Sequence, residues 1–161
     1  MIVVDVGASR YGGDYSIERL IDMYHPDTLY AFDPSWEPSM APSDTTTKVI
    51  GSKKAAWTYD GKVRFLIDGL NGQIGDHAHW PEVRCFDLAR FIGSLPEYGI
   101  ILKLDVEMSE YELLEHLIAQ KMDARLTLAV VEWHPLPDGS HTARRRAIER
   151  SIACPLEEWR W

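Results

Sequence analysis

Short apolar runs alternate along this chain with segments whose apolar residues recur every three or four positions. The runs at residues 2–6, 100–106 and 126–133 are almost entirely apolar, which is typical of strands buried on both faces of a parallel sheet. The segments between them have helical spacing, most clearly at 15–24. Strands that alternate with helices predict a doubly wound, mostly parallel α/β sheet with a Rossmann-like layout.

The full pattern assigns six strands and four helices to the main layers. Strands are predicted at residues 2–6, 28–32, 48–51, 83–85, 100–106 and 126–133, and helices at 15–24, 87–92, 110–119 and 142–152. Residues 155–161 can supply one further strand, at an edge. The whole chain of 161 residues is therefore read as a single domain.

Two segments between these elements have their own signals. Residues 55–59 and 62–67 flank Asp60-Gly61, a dipeptide typical of two-residue hairpin turns, so the two segments are expected to pair with each other. Residues 68–81 have no periodicity and predict an irregular candidate lid, in which Trp80 could cover a ligand.

Acidic residues recur at the carboxyl ends of the predicted strands. Asp5, Asp33, Asp105 and Glu132 all occupy such positions. In open parallel sheets, ligands bind beyond this edge, where the strand order reverses. Since an unpaired buried carboxylate is costly, four acids at one edge indicate a site.

The first two acids indicate a nucleoside-containing ligand. Asp5 precedes the glycine turn Gly7-Ala8-Ser9, and Asp33-Pro34 ends the next strand, where a carboxylate can hold a ribose diol. Ser9 stands where a dinucleotide-binding turn has a glycine that approaches pyrophosphate. The pattern therefore favours S-adenosylmethionine (SAM), which has a diol and a charged amino group but no phosphate.

Composition restricts the partners. The formal net charge of −8 disfavours a nucleic-acid backbone or an anionic membrane as the main partner. No apolar run is long enough to cross a bilayer, and the start of the chain does not resemble a signal peptide. Cys85 and Cys154 lack the spacing of a redox or metal motif, so we expect reduced thiols in a cytoplasmic protein.

Four segments resemble the FkbM-type family of SAM-dependent methyltransferases. They are Val4-Asp-Val-Gly-Ala8, Tyr30-Ala-Phe-Asp-Pro34, Lys54-Ala-Ala-Trp57 with Asp60-Gly-Lys-Val-Arg-Phe65, and Leu102-Lys-Leu-Asp-Val-Glu-Met-Ser-Glu-Tyr-Glu-Leu-Leu114. The last is similar to the diagnostic family stretch K-I-D-V-E-G-A-E-Y-x-x-L. The resemblance implies a class I methyltransferase fold, methyl transfer to an oxygen, SAM contacts at Asp5, Gly7 and Asp33, and a functional edge at Asp105 and Glu107.

The chain departs from the family in three places. Met108 replaces the glycine that follows D-V-E, and the first motif is one residue longer before Gly12-Gly13. The chain also lacks the leading segment and closing hairpin of many relatives, so the fold is expected to be reduced at both termini. An uncovered sheet edge and the terminal Trp159 and Trp161 then predict a homo-oligomer, most simply a dimer.

The remaining candidates concern chemistry. His134 is expected to act as general base toward a hydroxyl of a small-molecule or sugar acceptor, with Glu132 orienting it or the substrate. Ser52 is expected near the adenine edge. His77 and His79 are a weak metal signal and are read as surface residues, so no metal site is predicted. Two alternatives stay open: a non-catalytic SAM-binding or assembly module, and a different nucleotide-binding enzyme.

Overall fold

A computed structural model describes residues 1–8, 16–43, 45–68, 71–96 and 99–160. It contains ten strands and four α-helices in these ranges. The strands are β1 (Ile2–Val6), β2 (Thr28–Phe32), β3 (Lys48–Ser52), β4 (Ala55–Trp57), β5 (Gly61–Asp68), β6 (Asn71–Ile74), β7 (Glu82–Asp87), β8 (Ile100–Leu104), β9 (Leu126–Val131) and β10 (Leu156–Glu158). The helices are α1 (Ser16–Tyr24), α2 (Leu88–Ser94), α3 (Glu110–Ala119) and α4 (His141–Ser151).

Six strands form one parallel sheet in the order β10-β9-β8-β1-β2-β3. The chain first builds outward from β1 to β3 and then returns to the other side of β1 with β8. The order therefore reverses between β1 and β8, which is where ligands bind in open parallel sheets. Every residue of β1 and β8 is buried, as their continuous apolar pattern predicts.

Helices cover both faces of this sheet. One core cluster joins α2, α3 and α4 to one face, through residues such as Leu88, Leu114 and Ile148. The other joins α1 to the opposite face, through Ile17 and Leu20. The predicted α/β architecture with a parallel sheet is confirmed, and the layout is compatible with a Rossmann-like fold.

A second, four-stranded sheet in the order β4-β7-β5-β6 corrects the predicted hairpin. Strand β7 lies between β4 and β5, parallel to the first and antiparallel to the second. Asp60 still lies in a turn, but its carboxylate accepts the backbone N–H of Asp87 at 3.3 Å and pairs with Arg90. A turn signal sets a chain reversal, whereas the partner of each strand depends on long-range packing.

The segment at 68–81 is also more regular than predicted. Strand β6 occupies part of it and pairs with β5. Trp80 is 8% exposed and packs against Gly75, so its ring is largely enclosed, and its covering of a ligand stays a prediction. His77 and His79 are exposed, as expected for surface histidines.

The C-terminal segment forms β10, the predicted edge strand, on the open side of β9. Trp159 is 3% exposed and packs with α1 in its own domain. The expectation that it anchors a subunit interface is therefore wrong, while Trp161 lies outside the described residues. A dimer stays a prediction without this support.

Other local expectations are met. Asp87 caps α2, where its carboxylate accepts the backbone N–H of Arg90 at 3.0 Å. Cys85 and Cys154 are free and buried. Among the described helices, none has the length and apolar character needed to cross a membrane.

Candidate functional site

The turn after β1 brings the sheet edge close to the chain beyond β8. Gly7 has a φ of +84°, and a Cβ at this position would lie 1.7 Å from the carbonyl oxygen of Asp105. Only glycine allows this contact. The backbone N–H groups of Gly7 and Ala8 donate to the Phe32 carbonyl at 2.9 and 3.3 Å, which joins the turn to the end of β2. Ala8 is buried, and Ser9 lies outside the described residues.

Asp5 lies inside the protein and not on its surface. Its side chain has no exposure, and its Oδ1 lies 3.1 Å from Nζ of the fully buried Lys103. Its Oδ2 accepts the hydroxyl of Ser16 at 2.8 Å. Lys103 also lies 3.4 Å from Asp105 Oδ2 and donates to the Gly7 carbonyl at 3.1 Å. Direct contact between Asp5 and a ligand is not favoured, because the carboxylate is enclosed and supports the turn.

Asp33 ends β2 at the same edge of the sheet and is more open. Its Oδ1 accepts two bonds from Ser35, one of them from the backbone N–H at 2.7 Å, and Oδ2 has no hydrogen-bond partner among the described residues. Burial, opposed by the Ser35 bonds, raises the pKa of Asp33 above its usual range. Ser52 lies beside this position, because its carbonyl accepts the Asp33 N–H at 3.2 Å. The neighbouring Pro34 is half-buried.

The connection from β8 to α3 is a strained turn. The N–H of Ser109 donates to the Val106 carbonyl at 2.9 Å, and the two central residues, Glu107 and Met108, have φ values of +23° and +68°. Residues other than glycine rarely adopt this left-handed region of backbone conformation. Glycine would adopt the backbone conformation of Met108 without strain.

His134 follows β9 and lies among carboxylates at the edge of the sheet. Its Nε2 is 3.9 Å from Asp105 Oδ1, 3.7 Å from Glu107 Oε1 and 4.0 Å from Glu132 Oε1. Its Nδ1 is 3.5 Å from Oε1 of Glu110. The four predicted catalytic residues thus lie together, with His134 at the centre. We call these four residues and Glu110 the His134 cluster.

The surroundings of His134 favour its charged form. Burial lowers the pKa of the imidazole, but Glu110, Glu107 and Asp105 outweigh burial and raise it to about 9. Burial also raises the pKa of Glu107, with His134 acting in the opposite direction. A free imidazole that is protonated at neutral pH is a poor acceptor of a proton, so the expected role of His134 as a ready general base has no electrostatic support.

Sequence reasoning missed Glu110. It is fully buried, and its Oε1 accepts the backbone N–H of His134 at 2.6 Å, which fixes the chain after β9. The next residue, Tyr111, donates its hydroxyl to the His134 carbonyl at 2.8 Å. An acid in the first turn of a helix is ordinarily explained by the helix dipole, so the pattern gave no sign that this one points inward.

A groove of about 370 Å³ opens beside His134, between the chain after β9 and helix α4. Its aromatic wall is Trp133, which packs on Tyr111 with ring centroids 5.3 Å apart. The guanidinium of Arg145 lies 5.1 Å from the Trp133 ring. The groove is lined by Tyr111, Trp133, His134, Pro135, His141, Thr142, Arg145, Arg146 and Glu149.

Comparison of this chain with protein-family models, curated proteins and solved structures gives no match.

The site thus has two parts on either side of β1. Asp33, Pro34 and Ser52 lie at the ends of β2 and β3, and the His134 cluster lies at the ends of β8 and β9. The first part offers hydrogen-bond acceptors for a diol. The second offers an imidazole and several carboxylates, and the carboxylates can bind a cation or take a proton from a hydroxyl.

Proposed function

We propose that the chain binds SAM across the carboxyl edge of its parallel sheet and transfers the methyl group to a hydroxyl of a small molecule or sugar. The observation that carries this proposal is the position of Asp33 beside the Gly7 turn at the reversal of strand order, with Oδ2 without a hydrogen-bond partner among the described residues. A carboxylate in that place suits a ribose diol. The family resemblance of the segments around Gly7 and Asp33 supports the same reading.

The transfer step needs little chemistry from the protein. The acceptor oxygen attacks the methyl carbon, a C–O bond forms, the C–S bond of the sulfonium breaks, and S-adenosylhomocysteine leaves. The hydroxyl proton passes to a group of the His134 cluster or to water. The protein therefore has to position the acceptor and receive a proton. The groove beside Trp133 gives an acceptor room next to that cluster.

Calorimetry with SAM and S-adenosylhomocysteine tests the binding step. We expect Asp33→Ala to weaken binding by about 1.5–3 kcal/mol, because charge-assisted bonds to the diol are lost. Asp27→Ala is the matched control, since Asp27 is exposed and precedes the same strand at its opposite end. Equal affinity in wild type and the Asp33 variant would remove Asp33 from the site.

The same experiment separates the alternatives. The sheet order is also that of dinucleotide-binding folds, so NAD is the competitor to include. Displacement of SAM by NAD at similar concentrations would favour another nucleotide-binding enzyme. Tight SAM binding without turnover on a panel of hydroxylated acceptors would favour a non-catalytic SAM-binding or assembly module.

A further inference from the structure

Three members of the His134 cluster offer ligand atoms for a metal ion. One atom each from Asp105, Glu132 and His134 lie within 4.8 Å of one another. Bonds of about 2.0–2.2 Å to a common ion place ligand atoms roughly 3.4 Å apart in a tetrahedral site. The observed separations of 3.9 and 4.0 Å from Nε2 therefore need only small side-chain movements to close around an ion.

Glu110 supplies a separate observation on the other side of the imidazole. It has no exposed surface, its Oε1 lies 3.5 Å from Nδ1 of His134, and its Oε2 has no hydrogen-bond partner among the described residues. Histidines that bind metals usually direct their second nitrogen at a carboxylate, which orients the ring and leaves the other nitrogen for the ion. Glu110 lies on that side of His134, at a distance longer than the hydrogen bond of such a pair, with Nδ1 otherwise without a hydrogen-bond partner among the described residues, and Nε2 faces the other carboxylates.

The charge of the cluster points the same way. Four carboxylates, those of Asp105, Glu107, Glu110 and Glu132, lie within 4.0 Å of His134. The buried Lys103 contacts this group through Asp105 and is shared with Asp5. Even without Glu132, the carboxylates of Asp105, Glu107 and Glu110 outnumber His134 and Lys103 among the described residues, and partly buried negative charge is costly unless a cation neutralises it.

We propose that Asp105, Glu132 and His134 bind one divalent transition-metal ion, with Glu110 orienting the imidazole and Glu107 beside the open side of the ion. Two carboxylate oxygens and one imidazole nitrogen suit Mn²⁺ or Zn²⁺ better than Mg²⁺ or Ca²⁺, whose sites are built from oxygen alone. The proposal goes beyond methyl transfer, because ion binding is measured without SAM or an acceptor.

Titration of chelator-treated protein with Mn²⁺ tests the site, with the electron paramagnetic resonance signal of free Mn²⁺ as the readout. We expect one equivalent bound per chain and competition by Zn²⁺, with weaker competition by Mg²⁺ or Ca²⁺. Glu132→Gln and His134→Gln should each weaken binding at least tenfold. Glu110→Gln should weaken it by about 10–100-fold, as loss of an orienting carboxylate does elsewhere.

Glu149→Gln is the matched control, because it removes one negative charge in the adjacent groove, outside the cluster. It should leave Mn²⁺ affinity within twofold of wild type. Circular dichroism and thermal unfolding without metal show whether each variant is folded, and a variant that does not fold is replaced by the corresponding alanine variant. Absence of stoichiometric binding by wild type, or equal affinity in the control and both ligand variants, would overturn the proposal. SAM calorimetry on metal-free protein tests the function separately.

Discussion

Asp5 and Asp33 end neighbouring strands of the same sheet, yet their surroundings differ. Asp5 is enclosed and faces Lys103, Ser16 and, through Lys103, Asp105. Asp33 is half-buried, and among the described residues its carboxylate accepts hydrogen bonds from Ser35 alone. Burial raises the pKa of Asp33, the Ser35 hydrogen bonds and Lys103 oppose the rise, and Asp5 adds to it.

This difference distinguishes a carboxylate that stabilises the fold from one that can face a ligand. A carboxylate with a buried cation as partner holds the fold and has no surface left for a ligand. A carboxylate with an open oxygen costs stability in the free protein and is available for binding. The His134 cluster resembles Asp33 in this respect, because among the described residues the carboxylates of Asp105, Glu107 and Glu110 outnumber His134 and Lys103, the cationic groups in contact with them.

The largest expected effect comes from removing the cation of the buried group. Lys103→Met should lower the free energy of unfolding by about 3–5 kcal/mol, because Asp5 is left charged and buried without its partner. Urea unfolding measures the loss. Lys53→Met is the control, since Lys53 is exposed and pairs with exposed Glu37, where a change under about 1 kcal/mol is expected. Similar losses in both variants would contradict the distinction.

The next largest effect is expected at the Gly7 turn, which lies between Asp33 and the His134 cluster. Gly7→Ala should cost more than about 2 kcal/mol, since its Cβ would overlap the Asp105 carbonyl in a left-handed backbone. Gly139→Ala is the control, because Gly139 has a similar φ of +75° and a Cβ added there would have no atom within 4 Å. This substitution should lower the free energy of unfolding by about 1–2 kcal/mol, the cost of placing alanine in a left-handed backbone conformation. Equal losses in the two variants would show that the close approach of Gly7 to the Asp105 carbonyl does not contribute to the cost.

Met108→Gly should change stability in the opposite direction. Glycine adopts the φ of +68° found at Met108 without strain, so the free energy of unfolding should rise by about 1 kcal/mol. Thermal unfolding of the metal-free protein gives the sign. Met40→Gly, in an ordinary backbone conformation, is the control and should not stabilise. A less stable Met108 variant would mean that its side-chain packing outweighs the backbone strain.

The smallest effect compares the two aspartates directly. Asp33→Asn should stabilise the free protein at pH 7 by up to about 1 kcal/mol, whereas Asp5→Asn should destabilise it. Because the folded pKa of Asp33 is raised, wild type loses stability as pH rises from the unfolded value of about 3.9 through the folded one. The advantage of the Asp33 variant should therefore vanish near pH 3. Unfolding curves at both pH values measure it, and the same sign for both substitutions at pH 7 would contradict the comparison.

Several features were predictable because they depend on local pattern. Strands β1 and β2 and helix α3 have the predicted bounds, since continuous apolar runs and helical spacing leave little choice. The predictions that were wrong concern contacts between residues far apart in the chain. The Asp60-Gly61 turn was recognised, but β7 inserts between the strands that flank it. Trp159 was expected at a subunit interface and instead covers α1.

The amino-acid sequence by itself determined the parallel α/β layers and the gathering of acidic residues at one edge of the sheet. Strand direction and periodicity suffice for both, because side chains that follow parallel strands must meet at the carboxyl edge. Only the tertiary structure decided that Asp5 is enclosed beside Lys103 while Asp33 is half-buried, and that buried Glu110 faces His134. Burial and charge pairing depend on residues far apart in the chain, so the same aspartate-at-strand-end pattern has two physical outcomes.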